Sequence, residues 1–164
     1  MIEMKVAGIA LDAITRSPIV LLKDSTERRA LPIYIGQEQA KAIMSALENQ
    51  KPPRPLTHDL IINVFEAWNM TLEKVIIHSL QKDTFYASLI LRQGENRKEI
   101  DARPSDAIAV ALRTNTQIWV MEEVIADASI PVDRDADEAE QEAFREFLSN
   151  LRPEDLIKRF GSDS

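Results

Sequence analysis

The chain has no cysteine in its 164 residues, which excludes disulfides, thiolate metal ligands and a cysteine nucleophile together. It has no apolar run near the roughly 18 residues of a membrane span. Its start, Met1-Ile2-Glu3-Met4-Lys5, has no charged segment leading into a long apolar one, so no secretory leader is expected and the expected location is cytoplasmic, with no membrane partner. It lacks a His-x-x-x-His pair and a dense carboxylate motif, the short signatures of common metal sites. No serine sits on a Gly-x-Ser-x-Gly elbow, so triad chemistry has no support.

What is present is a soluble composition, 45% hydrophobic and 29% charged, on a chain long enough for one domain with a substantial core. The net charge of −7 is uneven. Residues 133–164 carry ten acids and five bases, whereas residues 1–132 carry 17 acids and 15 bases. A nearly neutral body with an acidic tail argues against indiscriminate, charge-driven nucleic-acid binding; a local basic cleft would be needed.

The stretch with most chemistry is Asp101-Ala102-Arg103-Pro104-Ser105-Asp106, followed by Ala107-Ile108-Ala109-Val110-Ala111-Leu112. Pro104 suits the first helical position, and Asp106 falls in the first turn, where the helix dipole favours an acid. Six apolar, alanine-rich residues behind them describe a helix wrapped on all sides. Earlier, the stiff Lys51-Pro52-Pro53-Arg54-Pro55-Leu56 delivers Thr57-His58-Asp59. Thr57 reads as the N-cap of a helix to about Trp68, with Leu60, Ile61, Val64, Phe65 and Trp68 on its buried face. Two helix starts therefore share an arginine, a proline, a hydroxyl residue and an aspartate.

Around them the pattern alternates between strand and helix groups. Residues 4–14, 19–22 and 30–35 read as one antiparallel meander, with Pro32 placing its strand at an edge or bulge. Ala40, Ile43, Met44 and Leu47 stripe a helix, with Glu38 in its first turn. Residues 71–81, 84–91 and 98–101 form a second meander, Tyr86 being half in the core, and 117–121 a last strand. The expected class is α+β: two antiparallel β-meanders packed with three core helices, plus a C-terminal helical extension. The division expected is 1–132 for the α+β domain and 133–164 for the extension. In the latter Phe144, Phe147, Leu148 and Leu151 stripe an acidic helix that needs a surface to cover. Packing on the chain's own body is expected, with packing against another subunit as the alternative, in either case away from any phosphate-bearing substrate, and the chain is expected to form a homodimer.

Gly36-Gln37-Glu38-Gln39-Ala40-Lys41-Ala42-Ile43, Arg54-Pro55-Leu56-Thr57-His58-Asp59-Leu60, Phe85-Tyr86-Ala87 and Asp101-Ala102-Arg103-Pro104-Ser105-Asp106-Ala107-Ile108-Ala109 together resemble the bifunctional nuclease family. The resemblance covers about residues 4–130, with Ala67-Trp68-Asn69 departing where a glycine is usual. It implies a compact α+β domain and, as in some members, hydrolysis of both DNA and RNA, with nucleic acid as substrate, but it carries no catalytic residue.

From the residues themselves, phosphodiester hydrolysis needs an activated water, stabilised phosphoryl oxygens and a protonated leaving oxygen. His58 is the one histidine in a motif and suits base or acid work. Asp59 and Asp106 could orient it or hold a metal-bound water, Arg54 and Arg103 could grip phosphate, and Thr57 and Ser105 stand at helix starts that suit an anion. No metal ligand set follows, and a divalent cation such as magnesium stays open. Asp101 and Asp106 are candidates, although a helix start disfavours a cation. The competing reading is structural: Arg54 pairs with Asp106 and Arg103 with Asp59, tying two buried helix starts together. The alternative function is then a non-catalytic binding or regulatory module for a phosphate-bearing ligand or a protein partner. Replacing His58 is expected to cost little stability.

Overall fold

The computed structural model describes residues 1–132. The helical extension expected at 133–164 lies outside the described residues. The elements run β1 (Ile2–Leu11), β2 (Pro18–Asp24), β3 (Arg29–Tyr34), α1 (Gln37–Leu47), α2 (Thr57–Ala67), β4 (Thr71–Gln81), β5 (Thr84–Gln93), β6 (Asn96–Ala102), α3 (Pro104–Thr114), β7 (Ile118–Val120), α4 (Glu122–Ala128) and β8 (Ile130–Pro131).

The class is α+β, but the strands form one sheet, in the order β6-β5-β4-β7-β1-β2-β3-β8. β7 is the joint. It runs parallel to β4, with Val75 opposite Ile118, and antiparallel to β1, with Ile2 opposite Val120. The antiparallel sets β1-β2-β3 and β4-β5-β6 are thereby fused. Three residues of Ile-Trp-Val are enough for this because both edges of β7 are paired and Ile118 and Val120 are buried.

α3 lies centrally and touches α1, α2, β4 and β5. Ala107, Ile108, Ala109, Val110 and Ala111 are all buried, as a helix without a polar face requires. Burying Ile108 and Val110 contributes about 1.5–3 kcal/mol each, and the alanines let the neighbouring helices approach. Asn115 closes the helix in the left-handed region, φ 53°, a conformation asparagine tolerates better than most residues.

Several expectations need correction. β1 stops at Leu11, and Ile14 is 85% exposed. The Asp12 carboxylate accepts the N–H groups of Ile14 and Thr15 at 2.9 and 3.0 Å, so a side-chain-templated turn replaces the strand. Tyr86 is exposed, not half in the core, because strand alternation turns it away from buried Ala87 and Leu89. Among the described residues there are four helices, not three, α4 being the addition. Pro32 faces the open part of β3's outer edge, since β8 pairs only with Arg29 and Ala30. On α2, Phe65 is buried and Ile61 is partly covered, but Leu60, Val64 and Trp68 are exposed. Its apolar arc is wider than the contacts with α3 and β4 can cover. Among the described residues no helix is long and apolar enough to cross a membrane.

Candidate acid–base groove at two helix starts

Both motif helices begin the same way. Leu56 and Arg103 are their N-caps, in extended conformation (φ −84°, ψ 179° and φ −69°, ψ 144°). Thr57 and Pro104 are then the first helical residues, His58 and Ser105 the second, and Asp59 and Asp106 the third. Thr57 is therefore not the cap. The capping bond comes from Asp59, whose Oδ2 accepts the Leu56 N–H at 3.0 Å, as an acid three residues into a helix does. Neither cap residue supplies a side-chain cap of its own.

The two starts meet through His58 and Asp106. His58 Nε2 lies 2.9 Å from Asp106 Oδ1. The other carboxylate oxygen, Oδ2, accepts Arg103 Nε at 2.8 Å and lies 2.7 Å from a terminal nitrogen of the same guanidinium. Asp106 thus holds an imidazole on one oxygen and a guanidinium on the other. Side-chain exposure grades outward, from 9% for His58 through 27% for Asp106 to 67% for Arg103. A carboxylate only accepts, so Nε2 carries a hydrogen, and in the neutral ring the lone pair is on Nδ1. Nδ1 has no hydrogen-bond partner among the described residues. It is not sealed from solvent either, because among the described residues no fully buried side-chain nitrogen or oxygen is left unpartnered.

The cross-pairs expected from sequence are absent. Asp106 takes Arg103, not Arg54, and Asp59 takes Arg113, not Arg103. Arg113 Nε donates to Asp59 Oδ1 at 2.8 Å, and a terminal nitrogen donates to the carbonyls of Ala42 and Ala109 at 3.0 and 2.9 Å. One arginine therefore ties α1, α2 and α3 together. Burial pushes the Asp59 carboxyl up, but the Leu56 N–H and Arg113 outweigh it and hold the group below its usual 3.8. Sequence reading passed over Arg113. Its signal was a lone cation at the end of an apolar buried helix, which demands a partner.

The His58–Asp106 pair stands in a groove of about 930 Å³ between α1, α2, α3 and the face of β5 and β6. Ile61, Phe65, Leu89, Leu91 and Ile100 make much of its wall. Its charged lining is Lys41 and Arg103 against Glu38, Asp101 and Asp106, a near balance and not the basic cleft that phosphate-driven capture would call for. Thr57 lines it too. Asp59 faces a different, smaller cleft beside Asn63 and Arg113, Ser105 is buried outside the lining, and Arg54 is exposed and outside it. So the structure gathers His58, Asp106, Arg103 and Thr57, and separates Asp59, Arg54 and Ser105 from them. Among the described residues no three or more His, Asp or Glu side chains cluster as a metal site.

Fold and site together define a single-sheet α+β domain with an imidazole–carboxylate pair at the wall of an apolar groove. The chain belongs to the bifunctional nuclease domain family, whose domain matches residues 20–133. An uncharacterized protein of Mycobacterium tuberculosis is 40% identical over 162 residues, 94% of this chain and 97% of that protein. Bifunctional nuclease 1 of Oryza sativa subsp. japonica is 29% identical over 112 residues, 66% of this chain and 34% of that protein. Bifunctional nuclease 1 of Arabidopsis thaliana is 27% identical over 105 residues, 62% of this chain and 32% of that protein. The chain spans about a third of the length of these plant relatives.

Proposed function

We propose that the chain hydrolyses phosphodiester bonds of DNA and RNA, with His58 as the group that moves the proton. The observation carrying this reading is the 2.9 Å contact of His58 Nε2 with Asp106, which leaves Nδ1 as the ring's free nitrogen. Asp106 orients the ring and fixes its tautomer, as a carboxylate behind a catalytic imidazole does. Nδ1 takes a proton from water, the water oxygen bonds to phosphorus, and the bond to the leaving oxygen breaks. The protonated ring then returns a proton to the leaving oxygen, so the step balances. Arg103 spends two nitrogens on Asp106, and its exposed edge still faces solvent beside the groove, where it can meet the phosphoryl oxygens.

A second reading has one observation in its favour: the groove's lining carries three acids against two basic side chains, Lys41 and Arg103. A module that binds a compact phosphate-bearing ligand without cleaving it needs no basic track. One assay separates the two. Purified protein is incubated with end-labelled single-stranded DNA and RNA, with and without EDTA, beside His58→Ala and Asp106→Asn. Nuclease action predicts a loss of about 10²–10⁴-fold in His58→Ala, the range for a general acid or base. Full cleavage by a folded His58→Ala protein would remove His58 from the reaction, and binding without cleavage by the unaltered chain would favour the module.

A further inference from the structure

The two ends of the sheet are finished differently. At one end β8 has only two residues, the second a proline, and Pro32 interrupts the outer edge of β3 beside it. Short strands and prolines keep an edge from pairing with another chain. At the other end β6 runs for seven residues without a bulge, paired to β5 from Asn96 to Ala102. Its outer side meets no strand among the described residues, and Asn96 to Asp101 are all exposed. Such an edge is a template for a further strand.

We propose that a second copy of this chain pairs with β6, antiparallel and about a dyad at Glu99, so that Lys98 of each copy completes the groove of the other. Charged side chains usually guard an edge, but here their order selects the partner. Arg97 and Lys98 come first, Glu99 and Asp101 later. An antiparallel copy sets bases against acids, whereas a parallel copy in register sets like charges opposite each other, which is destabilising. Pairing the whole of β6 with itself puts Asn96 opposite Ala102, Arg97 opposite Asp101, Lys98 opposite Ile100 and Glu99 opposite itself. Arg97 gives Nε and one terminal nitrogen to Glu73 at 2.9 and 3.2 Å, which leaves its other terminal nitrogen for Asp101 of the second copy. The one like pair, Glu99 at the dyad, is flanked by both Arg97 side chains, and each Glu99 accepts from its own Ser88 at 2.8 Å.

The groove shows what the pairing adds. Side chains alternate across a strand, so Lys98 and Ile100 stand on the face of Leu91 and Leu89, their partners on β5. Both leucines and Ile100 line the groove, while Lys98 lies outside the lining. In the pair, Lys98 of the second copy stands beside Ile100, with about 5 Å between Cβ atoms. Its methylene stem covers an isoleucine that is 42% exposed in the single chain, and its ammonium reaches the groove mouth. One copy lines its groove with two cations against three acids; the second copy brings a third cation to where a phosphate-bearing substrate needs it. The pairing stands on the edge alone, while the use of Lys98 rests on the proposed function.

A chain without cysteine permits a direct test at full length. Arg97→Cys and Asp101→Cys proteins are oxidised mildly, singly and mixed, and run on a non-reducing gel. Directly opposite positions lie within disulfide reach, whereas like positions at 97 or 101 are four residues out of step, about 13 Å along the strands. A linked dimer is therefore expected in the mixture and little in either protein alone. Glu99→Cys should link to itself, and Asp83→Cys, at the hairpin between β4 and β5, should not. Linkage no greater than that of Asp83→Cys would overturn the pairing, and single proteins linking as well as the mixture would overturn the register. Linked mixed dimers then carry Lys98→Ala and His58→Ala, either in one copy or in opposite copies, and cleavage of an end-labelled single-stranded oligonucleotide is measured. In opposite copies one groove keeps its own His58 and the other copy's Lys98; in one copy neither groove has both. The opposite arrangement is expected to cleave about three- to fivefold faster, the worth of one exposed charge contact. Equal rates, or the reverse order that Lys98 acting within its own copy would give, would overturn the sharing of Lys98. No cleavage by the unaltered chain would instead overturn the proposed function, while the linkage result still decides the pairing.

Discussion

The starts of α2 and α3 are built to one plan and do different work. Each has an extended cap, a buried polar residue at its second helical position (His58 and Ser105, both 7% exposed) and an aspartate at its third. Asp59 turns back to the Leu56 N–H and inward to Arg113. Asp106 turns to Arg103 and across to His58. The first aspartate fastens three helices; the second presents a polarised imidazole to a groove. What separates them is the neighbour each meets, since the local chain is nearly the same. A shared motif therefore specifies a helix start and leaves its chemistry to the packing.

Exchanging the paired positions should break this symmetry most visibly in activity. His58→Ala is expected to lower cleavage by about 10²–10⁴-fold, whereas Ser105→Ala should stay within about threefold, having no place in the groove lining. The structure also revises the stability expectation. His58 is buried and hydrogen-bonded, so its loss should cost about 1–3 kcal/mol, measured by urea unfolding. Equal activity losses at the two positions would mean that both act through helix structure alone.

The two arginines offer the next largest contrast, now in stability. Arg113 has a side chain only 9% exposed and three protein acceptors. Arg113→Met should lower unfolding free energy by about 2–4 kcal/mol, because it leaves the part-buried Asp59 carboxylate without its cation. Arg103 is 67% exposed, and an exposed ion pair contributes about 1 kcal/mol or less. Arg103→Met should therefore be nearly silent in urea while weakening oligonucleotide binding. Comparable unfolding midpoints for the two variants would undo the division into a fastening pair and a presenting pair.

Much of this was legible in the sequence, for reasons that also mark the boundary. The all-apolar run 107–112 could only be a wrapped helix, and Pro104 and Asp106 located its start. The meeting of two Arg-Pro helix starts followed from their need to share one core. Pairing partners were not legible, because Asp59 and Arg113 are 54 residues apart and complementary charge alone allows several pairings. α2 misled for a related reason: spacing reveals an apolar arc but not how much of it a neighbour covers, so Leu60, Val64 and Trp68 read as core. The three-residue β7 was recognisable as a strand, yet nothing local says that it joins two antiparallel sets into one sheet.

The smallest expected effect sharpens the contrast through pH. Asp59 titrates below its usual 3.8 in the folded chain: burial works against the charged form, but the Leu56 N–H and Arg113 outweigh it. A carboxyl depressed by folding contributes stability that is fully present above its unfolded value and is lost as pH falls through its folded one. The window therefore lies below about pH 4. Asp12 titrates at about 2, held there by the Thr15 N–H, the Tyr34 hydroxyl and the Ile14 N–H, and it adds the same kind of acid sensitivity from a distant turn. Because Asp12 is unchanged in an Asp59→Asn protein, its part cancels when that variant is compared with the unaltered chain. At pH 6–7 Asp59→Asn should unfold at lower urea, since the amide receives the Leu56 N–H and Arg113 less strongly than a carboxylate. Between about pH 4 and 3 the difference between the two proteins should shrink, as protonation removes from Asp59 the charge that the substitution has already removed. A gap that stays constant from pH 7 to 3 would mean that the bond to Arg113 does not depend on the Asp59 charge, and that α2 is fastened by packing alone.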